Sequence, residues 1–314
     1  MNETRGKRMQ FFNLIALALF TLMHAPTCGG EQITVTENGK PVASVKREQI
    51  ALLFPGICLI DPAKYKQFED HIYGMIFQEP VNAKIAANGE IVPEQTGWKL
   101  NTDAFAVQFY KSFYSLKGNV IEVPKTPVYP RVDSELLSLI RTKQIGQYVT
   151  YYRTKQKARA NNIQLAAKAI DNHVIFPGEI FSFNRVVGKR TEEKGYMKAP
   201  EFMGGNLVEG IGGGICQVSS TLFNAADYAG MKILERYSHS KPVPYVPPGR
   251  DCTVSWNGPD FVFQNNYNQP VLIRAHAAHG RLAVFLYSSE EINIEHRHVP
   301  NWSNLLQIGS GGGS

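Results

Sequence analysis

The chain has 314 residues, 33 Lys and Arg against 27 Asp and Glu, and 43% hydrophobic and 19% charged residues. That composition excludes a disordered chain and leaves room for two modest domains. The formal net charge of +6 suits an anionic surface such as a cell wall or lipid headgroups. Zinc-type cysteine pairs, RNP-like motifs and phosphate-binding loops are lacking, so nucleic acid and nucleotides are not expected as partners.

Arg5, Lys7 and Arg8 precede an apolar run from Phe11 to Met23. The run is shorter than the about 20 residues a membrane span needs, so residues 1–30 are expected to be an export signal or N-terminal anchor. The protein is then extracytoplasmic: secreted, wall-associated or anchored, and touching membrane only through this segment. Cys28 follows Ala25-Pro26-Thr27, a poor lipid-attachment context, and lipidation is not expected. Gln32 to Val45 alternates around Asn38-Gly39, a hairpin signal. Arg47 to Leu53 and Pro62 to Phe77 carry helical spacing, the latter with Tyr65, Phe68, Ile72 and Ile76 on one stripe. Short strands follow around a turn at Asn88-Gly89. Asn101 is an N-cap for a helix from Ala104 to Ser115, and Asn119 to Pro124 reads as a strand. Pro124, Pro127 and Pro130 read as a stiff connector, which places a domain boundary near Pro130 and a first domain over 31–130.

The second domain, 131–298, opens with a helix from Ser134 to Lys143 and a strand from Gly146 to Tyr152. A helix from Gln156 to Asn172 buries Ile163, Ala166, Ala167 and Ile170. The basic cluster Arg153, Lys155, Lys157 and Arg159 at its start reads first as a solvated face, with a polyanion site as the alternative. Glu179 to Asn184 alternates as a strand, and a glycine loop then leads into a helix ending near Gly230. Strands are expected at Ile233 to His239, Cys252 to Trp256 and Phe261 to Gln264, with a hairpin about His279-Gly280 between Val271 and Tyr287. The tail at 299–314 ends in Gly-Ser-Gly-Gly-Gly-Ser and reads as an appended linker. The fold class is α+β: a small α+β domain, then a domain whose cysteine-bearing helix packs on a mostly antiparallel sheet.

The run Gly212-Gly213-Gly214-Ile215-Cys216-Gln217-Val218-Ser219-Ser220-Thr221 is the most informative stretch. Glycines permit a tight turn with close backbone approach. A cysteine at a helix start feels the positive end of the helix dipole, which favours the nucleophilic thiolate. Cys216 is therefore either a nucleophile or a packed thiol behind a glycine turn. His239, in Arg236-Tyr237-Ser238-His239-Ser240, is the candidate base, and Asp251, in Pro247-Pro248-Gly249-Arg250-Asp251, the candidate group that orients it. The order of nucleophile, histidine and polar group is that of papain-like and NlpC/P60-like cysteine enzymes. Backbone N–H groups of Cys216 and Gln217 are candidate oxyanion donors. His239 could equally be an ordinary strand histidine and Asp251 a turn residue. His173, His276 and His279 are rivals for the base. His296 and His298 form an H-x-H pair without an evident third ligand, so neither metal nor cofactor is expected. Glu179 and Glu209 read as turn and surface carboxylates. An exported chain can carry disulfides, and a Cys216–Cys252 bridge would make both cysteines structural.

Several segments together resemble the VanW domain. They are Arg159 to Ala167, Phe176 to Asn184, Val187 to Thr191, Gly195-Tyr196, Gly212 to Thr221 with Asn224-Ala225-Ala226, Arg236 to Ser240, and Tyr245 to Asp251. The resemblance spans roughly Gly146 to Tyr287. Within these motifs Gly212, Gly213, Gly214, Ser219, Ser220, Asn184, Arg190, Tyr196 and Tyr245 are candidate substrate contacts. Ala83 to Phe105 looks like the peptidoglycan-binding domain of YoaR-like proteins. Cys252 departs from the pattern, which has a small residue after the aspartate; this keeps the disulfide question open. The resemblance implies a wall-acting cysteine acyltransferase with peptidoglycan stem peptides as partners, in particular an L,D-transpeptidase forming 3-3 cross-links. Two alternatives stay open: a papain-like peptidase or amidase cutting the same stems, and a non-catalytic peptidoglycan-binding envelope protein.

Overall fold

The computed structural model describes residues 32–54, 57–115, 119–203 and 206–300. The segment expected to be an export signal or anchor, Cys28 with it, and residues 301–314 of the tail lie outside the described residues. The chain divides into two compact units, one holding residues up to Asn82 and Gln95–Arg131, the other Ala83–Glu94 and residues from Val132 on. The division at Arg131 falls beside the boundary expected at Pro130. Residues 83–94, expected in the first domain, belong to the second unit. The stretch Ala83 to Phe105, expected within one peptidoglycan-binding domain, is therefore split between the two.

In the first unit the strands Gln32–Glu37 and Lys40–Lys46 form the expected hairpin, with Asn38 and Gly39 at φ 50 and 73. Val120–Glu122 adds in parallel to the first of them. The helix Pro62–Ile76 starts where Asp61 accepts from the Ala63 and Lys64 amides, with Pro62 preset for the first turn. The helix Thr102–Tyr114 starts where Asn101 accepts from Ala104 N–H. Their apolar faces meet through Phe109, whose ring lies 5.0 Å from Tyr65 and 5.7 Å from Phe68. Both share a core with Ile33, Val35 and Ile121 of the sheet.

Two local expectations fail here. Only Arg47–Ile50 is helical, because Ala51–Phe54 turns extended and pairs with Ile57–Ile60. Of the proline connector, Lys125–Val128 is a strand paired with Gly97–Leu100, and Pro127 stands opposite Trp98. This sheet has two strands, so a residue without an N–H is tolerated at its open edge.

The second unit is built on a four-stranded antiparallel sheet in the order Lys143–Tyr151, Arg281–Ser288, Val271–Ala278, His173–Ile175. The helices Lys157–Ile170 and Ile215–Tyr228 pack on it and on each other. Ile163, Ala166 and Ile170 of the first helix and Val218, Leu222 and Ala225 of the second are fully buried together with Ile273 and Val284 of the sheet. A smaller antiparallel sheet joins Ile180–Ser182, Val262–Gln264 and Lys232–Glu235. The fold class is α+β. Residues 83–94 are tied in by Asn172, whose side chain accepts from the Ile85 amide at 2.7 Å and donates to the Ile85 carbonyl at 3.1 Å.

The strands Lys198–Met203 and Asn206–Ile211 form a hairpin with no clear sequence signal, since Pro200 interrupts the first. Residues 252–256, expected as a strand, have no ladder: Thr253 N–H goes to Tyr237 O and Ser255 N–H to Pro259 O. His239 likewise lies beyond the strand, which ends at Glu235. The segment carrying His296 and His298 is irregular rather than a strand, and His296 lies against the Tyr228 ring at 4.7 Å. No helix among the described residues is long and apolar enough to cross a membrane.

Candidate active site

The hairpin delivers the chain to the glycine turn, and the turn sets the cysteine. Gly212 and Gly214 sit at φ 100 and 110, a region open to glycine at low cost. Gly213 is fixed by space: a Cβ there would lie 2.3 Å from the Ala199 carbonyl oxygen. The helix Ile215–Tyr228 begins at once, and Cys216 is its second residue.

The next turn of this helix is polar yet fully buried, and its side chains carry the second half of the site. Ser219 Oγ donates to Cys252 O at 2.6 Å, while Ser220 Oγ donates to Cys216 O at 2.6 Å and accepts from Cys252 N–H at 2.8 Å. Asn224 donates to Arg250 O and accepts from Arg250 Nε. These bonds replace a strand ladder and hold residues 250–254 along the helix start. They bring Val254 O to 3.6 Å and Thr253 Oγ1 to 3.8 Å from Cys216 Sγ. The Phe223 ring lies 4.6 Å from both the Arg236 and Arg250 guanidinium carbons, a cation–π contact on each.

Asp251 then holds His239 twice, accepting from its backbone N–H at 2.6 Å and from Nδ1 at 2.7 Å. The His239 side chain is 6% exposed. With Nδ1 held by the carboxylate, Nε2 is left for the sulfur. Cys216 and His239 share the wall of a cavity of about 620 Å³. Burial works against the Cys216 thiolate, but the His239 contact and the Val254 and Thr253 partners outweigh it and hold the thiol below its ordinary value. Burial likewise opposes the imidazolium, yet Cys216 and Asp251 raise His239 above its usual value. The two shifts run in opposite directions, each favouring a proton on His239 over one on Cys216.

Cys216 and Cys252 are both free thiols. Cys252 is wholly buried and its thiol is pushed up by burial. Cys58 is disulfide-bonded. The Gln217 N–H is donated to Gly214 O at 3.0 Å and Ile215 N–H to Gly212 O at 3.1 Å. Gln217 is thereby spent as an oxyanion donor. Among the described residues the Cys216 N–H has no backbone acceptor, and neither has that of Gly214, so both are donors left at this turn.

Of the candidate substrate contacts, Gly212, Gly214, Arg190 and Tyr245 line the cavity. Gly213, Ser219, Ser220, Asn184 and Tyr196 do not. The two serines bind backbone, as described. Tyr196 is in the core. Asn184 donates to the Ser255 and Pro259 carbonyls at 2.9 and 3.1 Å and accepts from Arg190 at 2.8 Å, so it shapes the wall from behind. The rival histidines His173, His276 and His279 are not in this cavity. Sequence reasoning missed Thr253, Val254 and Trp256 at the site. Arg159, in the basic cluster read first as a solvated face with a polyanion site as the alternative, lines the cavity.

The geometry is that of a cysteine–histidine–aspartate triad mounted on an α+β domain. The family described as VanW like protein matches residues 158–287, which contain the whole triad. The YoaR protein of Bacillus subtilis (strain 168), described as uncharacterized, is 53% identical over 279 residues, covering 89% of this chain and 92% of that protein. The vancomycin B-type resistance protein VanW of Enterococcus faecalis (strain ATCC 700802 / V583) is 31% identical over 116 residues, 35% of this chain and 42% of that protein. The chain belongs to the VanW-like family. No solved structure matches it.

The titration of Cys216 should follow from its pairing. Plotted against pH, its alkylation by iodoacetamide is expected to rise with a midpoint below the about 8.5 of an ordinary thiol. Because His239 supplies the largest lowering effect on the thiol, His239→Ala should move that midpoint upward. Site-resolved mass spectrometry separates Cys216 from Cys252, which should stay unlabelled in the folded protein. A midpoint at or above the ordinary thiol value would remove the ion pair.

Proposed function

We propose that this protein is an exported cysteine acyltransferase of the cell wall, an L,D-transpeptidase that forms 3-3 cross-links between peptidoglycan stems. The observation that carries the reading is the Cys216–His239–Asp251 triad on an open cavity. Its volume of about 620 Å³ falls within the roughly 300–1,000 Å³ of small-molecule and cofactor sites. Two further facts support it: a relative named for vancomycin resistance, and a disulfide at Cys58, which suits an oxidising compartment.

The thiolate attacks the carbonyl carbon of the third residue of a donor tetrapeptide, and the carbonyl electron pair moves onto oxygen, within reach of the Cys216 N–H. Collapse breaks the C–N bond. The His239 imidazolium gives its proton to the departing nitrogen, and D-alanine leaves. A neutral side-chain amine of a second stem then attacks the thioester. His239 takes the proton, the thiolate departs, and the resting pair is restored. One amide is exchanged for another, so no external energy source is needed.

Product analysis tests this. The mature protein incubated with purified tetrapeptide muropeptides should give cross-linked dimers with loss of D-alanine, detected by mass spectrometry. Tripeptides without dimers would replace transfer by hydrolysis. Binding with intact substrate would leave a non-catalytic wall protein.

A further inference from the structure

The triad accounts for the sulfur and the imidazole but not for a half-buried cation beside them. Arg159, near the start of the helix Lys157–Ile170, extends its side chain across the glycine turn. Its Nη1 lies 3.0 Å and its Cγ 2.9 Å from where a Cβ on Gly214 would stand. Its Nη2 donates to Gln217 Oε1 at 2.8 Å. The guanidinium therefore spans the residues flanking Cys216, two before it and one after it.

Apart from the Cys216 sulfur, the groups that meet this guanidinium are neutral. Gln217 is locked in place by donating to Thr150 Oγ1 at 3.0 Å and Tyr151 O at 2.9 Å, which turns its Oε1 to Arg159. The Tyr245 ring lies 6.0 Å from the guanidinium carbon. No Asp or Glu lines the cavity among the described residues, whereas Lys189 and Arg190 line it together with Arg159. The Cys216 thiolate already has His239 as its counterion. Arg159 is thus a partly desolvated positive charge in a cavity whose lining, among the described residues, holds no carboxylate, and a planar guanidinium is built to take one through two parallel N–H bonds.

We propose that Arg159 reads the free C-terminal carboxylate of the acyl donor, so that only the last peptide bond of a stem reaches Cys216. This rests on the acyl-transfer reading above and sharpens its substrate class. The carboxylate of a departing terminal residue lies one residue beyond the scissile carbonyl, a span of about 3.8 Å along the chain. Arg159 stands within a residue or two of the nucleophile on both sides. A longer stem places its carboxylate a residue too far, and an amidated terminus offers the guanidinium no charge. The positive cavity also concentrates anionic donors near the thiolate.

The test compares two alkylating agents that differ in this feature, iodoacetate and iodoacetamide, on the full chain, with glutathione as the unassisted thiol. Labelling of Cys216 is followed by mass spectrometry. The iodoacetate-to-iodoacetamide rate ratio is expected to exceed that of glutathione by about tenfold, and to fall as salt rises. Arg159→Gln should bring the ratio close to the glutathione value, and Arg159→Lys should retain part of it. In parallel, a tetrapeptide with a free terminal acid should acylate Cys216 at least about tenfold faster than the same peptide ending in an amide. Rapid iodoacetamide labelling with a glutathione-like ratio overturns the carboxylate seat and leaves the thiolate standing. An unchanged ratio in Arg159→Gln removes the assignment to Arg159. Equal acylation by acid and amide peptides removes the terminal-carboxylate assignment. If neither reagent labels Cys216, the nucleophile and the seat fall together. The reagent comparison needs only the wild-type chain, so a folding defect in a variant does not blunt it.

Discussion

Cys216→Ala is expected to abolish cross-linked and tripeptide products alike, a loss on the order of 10⁴-fold or more in turnover. The substitution removes the atom that forms the thioester, and the described site offers no substitute. Cys252 is wholly buried with its thiol pushed up, and Ser219 and Ser220 are fully engaged with the Cys216 and Cys252 carbonyls. Cys216→Ser makes the stricter test, because it keeps size and hydrogen bonding while replacing a thiol held below its ordinary value by an alcohol that stays protonated. The side chain is only partly buried at the helix start, so both variants should fold. Far-ultraviolet circular dichroism and the melting temperature check that they do. Product formation at more than about one hundredth of the wild-type rate by the alanine variant would end the nucleophile reading.

The second large effect is expected at Asp251. Asp251→Asn is close in shape but cannot serve both His239 donors as a carboxylate does. With the charge gone, the imidazolium loses its partner at 2.7 Å and the ring loses its fixed orientation. Turnover should fall by roughly 10²–10⁴-fold. The iodoacetamide midpoint of Cys216 should rise as well, because a less basic imidazole holds less of the thiolate. Asp251→Ala should do this and destabilise the fold too, by about 3–5 kcal/mol, the range for removing one partner of a buried charged pair. Arg236 contributes to that cost, since its Nη2 lies 3.9 Å from Asp251 Oδ1 and its Nε donates to Asp251 O. Unfolding in urea separates the two variants. An Asp251→Asn protein with wild-type turnover and an unmoved midpoint would reduce Asp251 to a turn residue.

Much of the architecture was legible because its signals are local. Asn101 marks a helix start through capping and caps as read, while the helix at Pro62 was legible from its period and is capped by Asp61. Asn38-Gly39 and His279-Gly280 mark hairpins through left-handed backbone, and both turn there. The stripes Ile163, Ala166, Ala167, Ile170 and Tyr65, Ile72, Ile76 are buried as a helical period requires. Illegible parts were those whose hydrogen bonds leave the local ladder. Residues 252–256 look like a strand from composition, yet their backbone bonds to a serine side chain, Tyr237 O and Pro259 O. The hairpin Lys198–Met203 with Asn206–Ile211 hid behind Pro200. Residues 83–94 looked continuous with the first domain because nothing nearby in sequence announces Asn172, which ties them to the second unit.

At the site the division is the same. By itself the sequence determined the glycine turn, the helix that follows it and the place of Cys216 at its start, since left-handed glycines and a helix N-terminus are properties of consecutive residues. It also supplied His239 and Asp251 in a plausible order. Only the tertiary structure decided that these three meet, that Cys216 and Cys252 remain unbridged, that Gln217 turns away from the reaction, and that Arg159 leaves the surface for the cavity. Those outcomes depend on which buried polar groups find partners across long separations in the chain. That pairing is settled by packing the whole helix, sheet and loop together, because each unpaired buried group would carry its own desolvation cost.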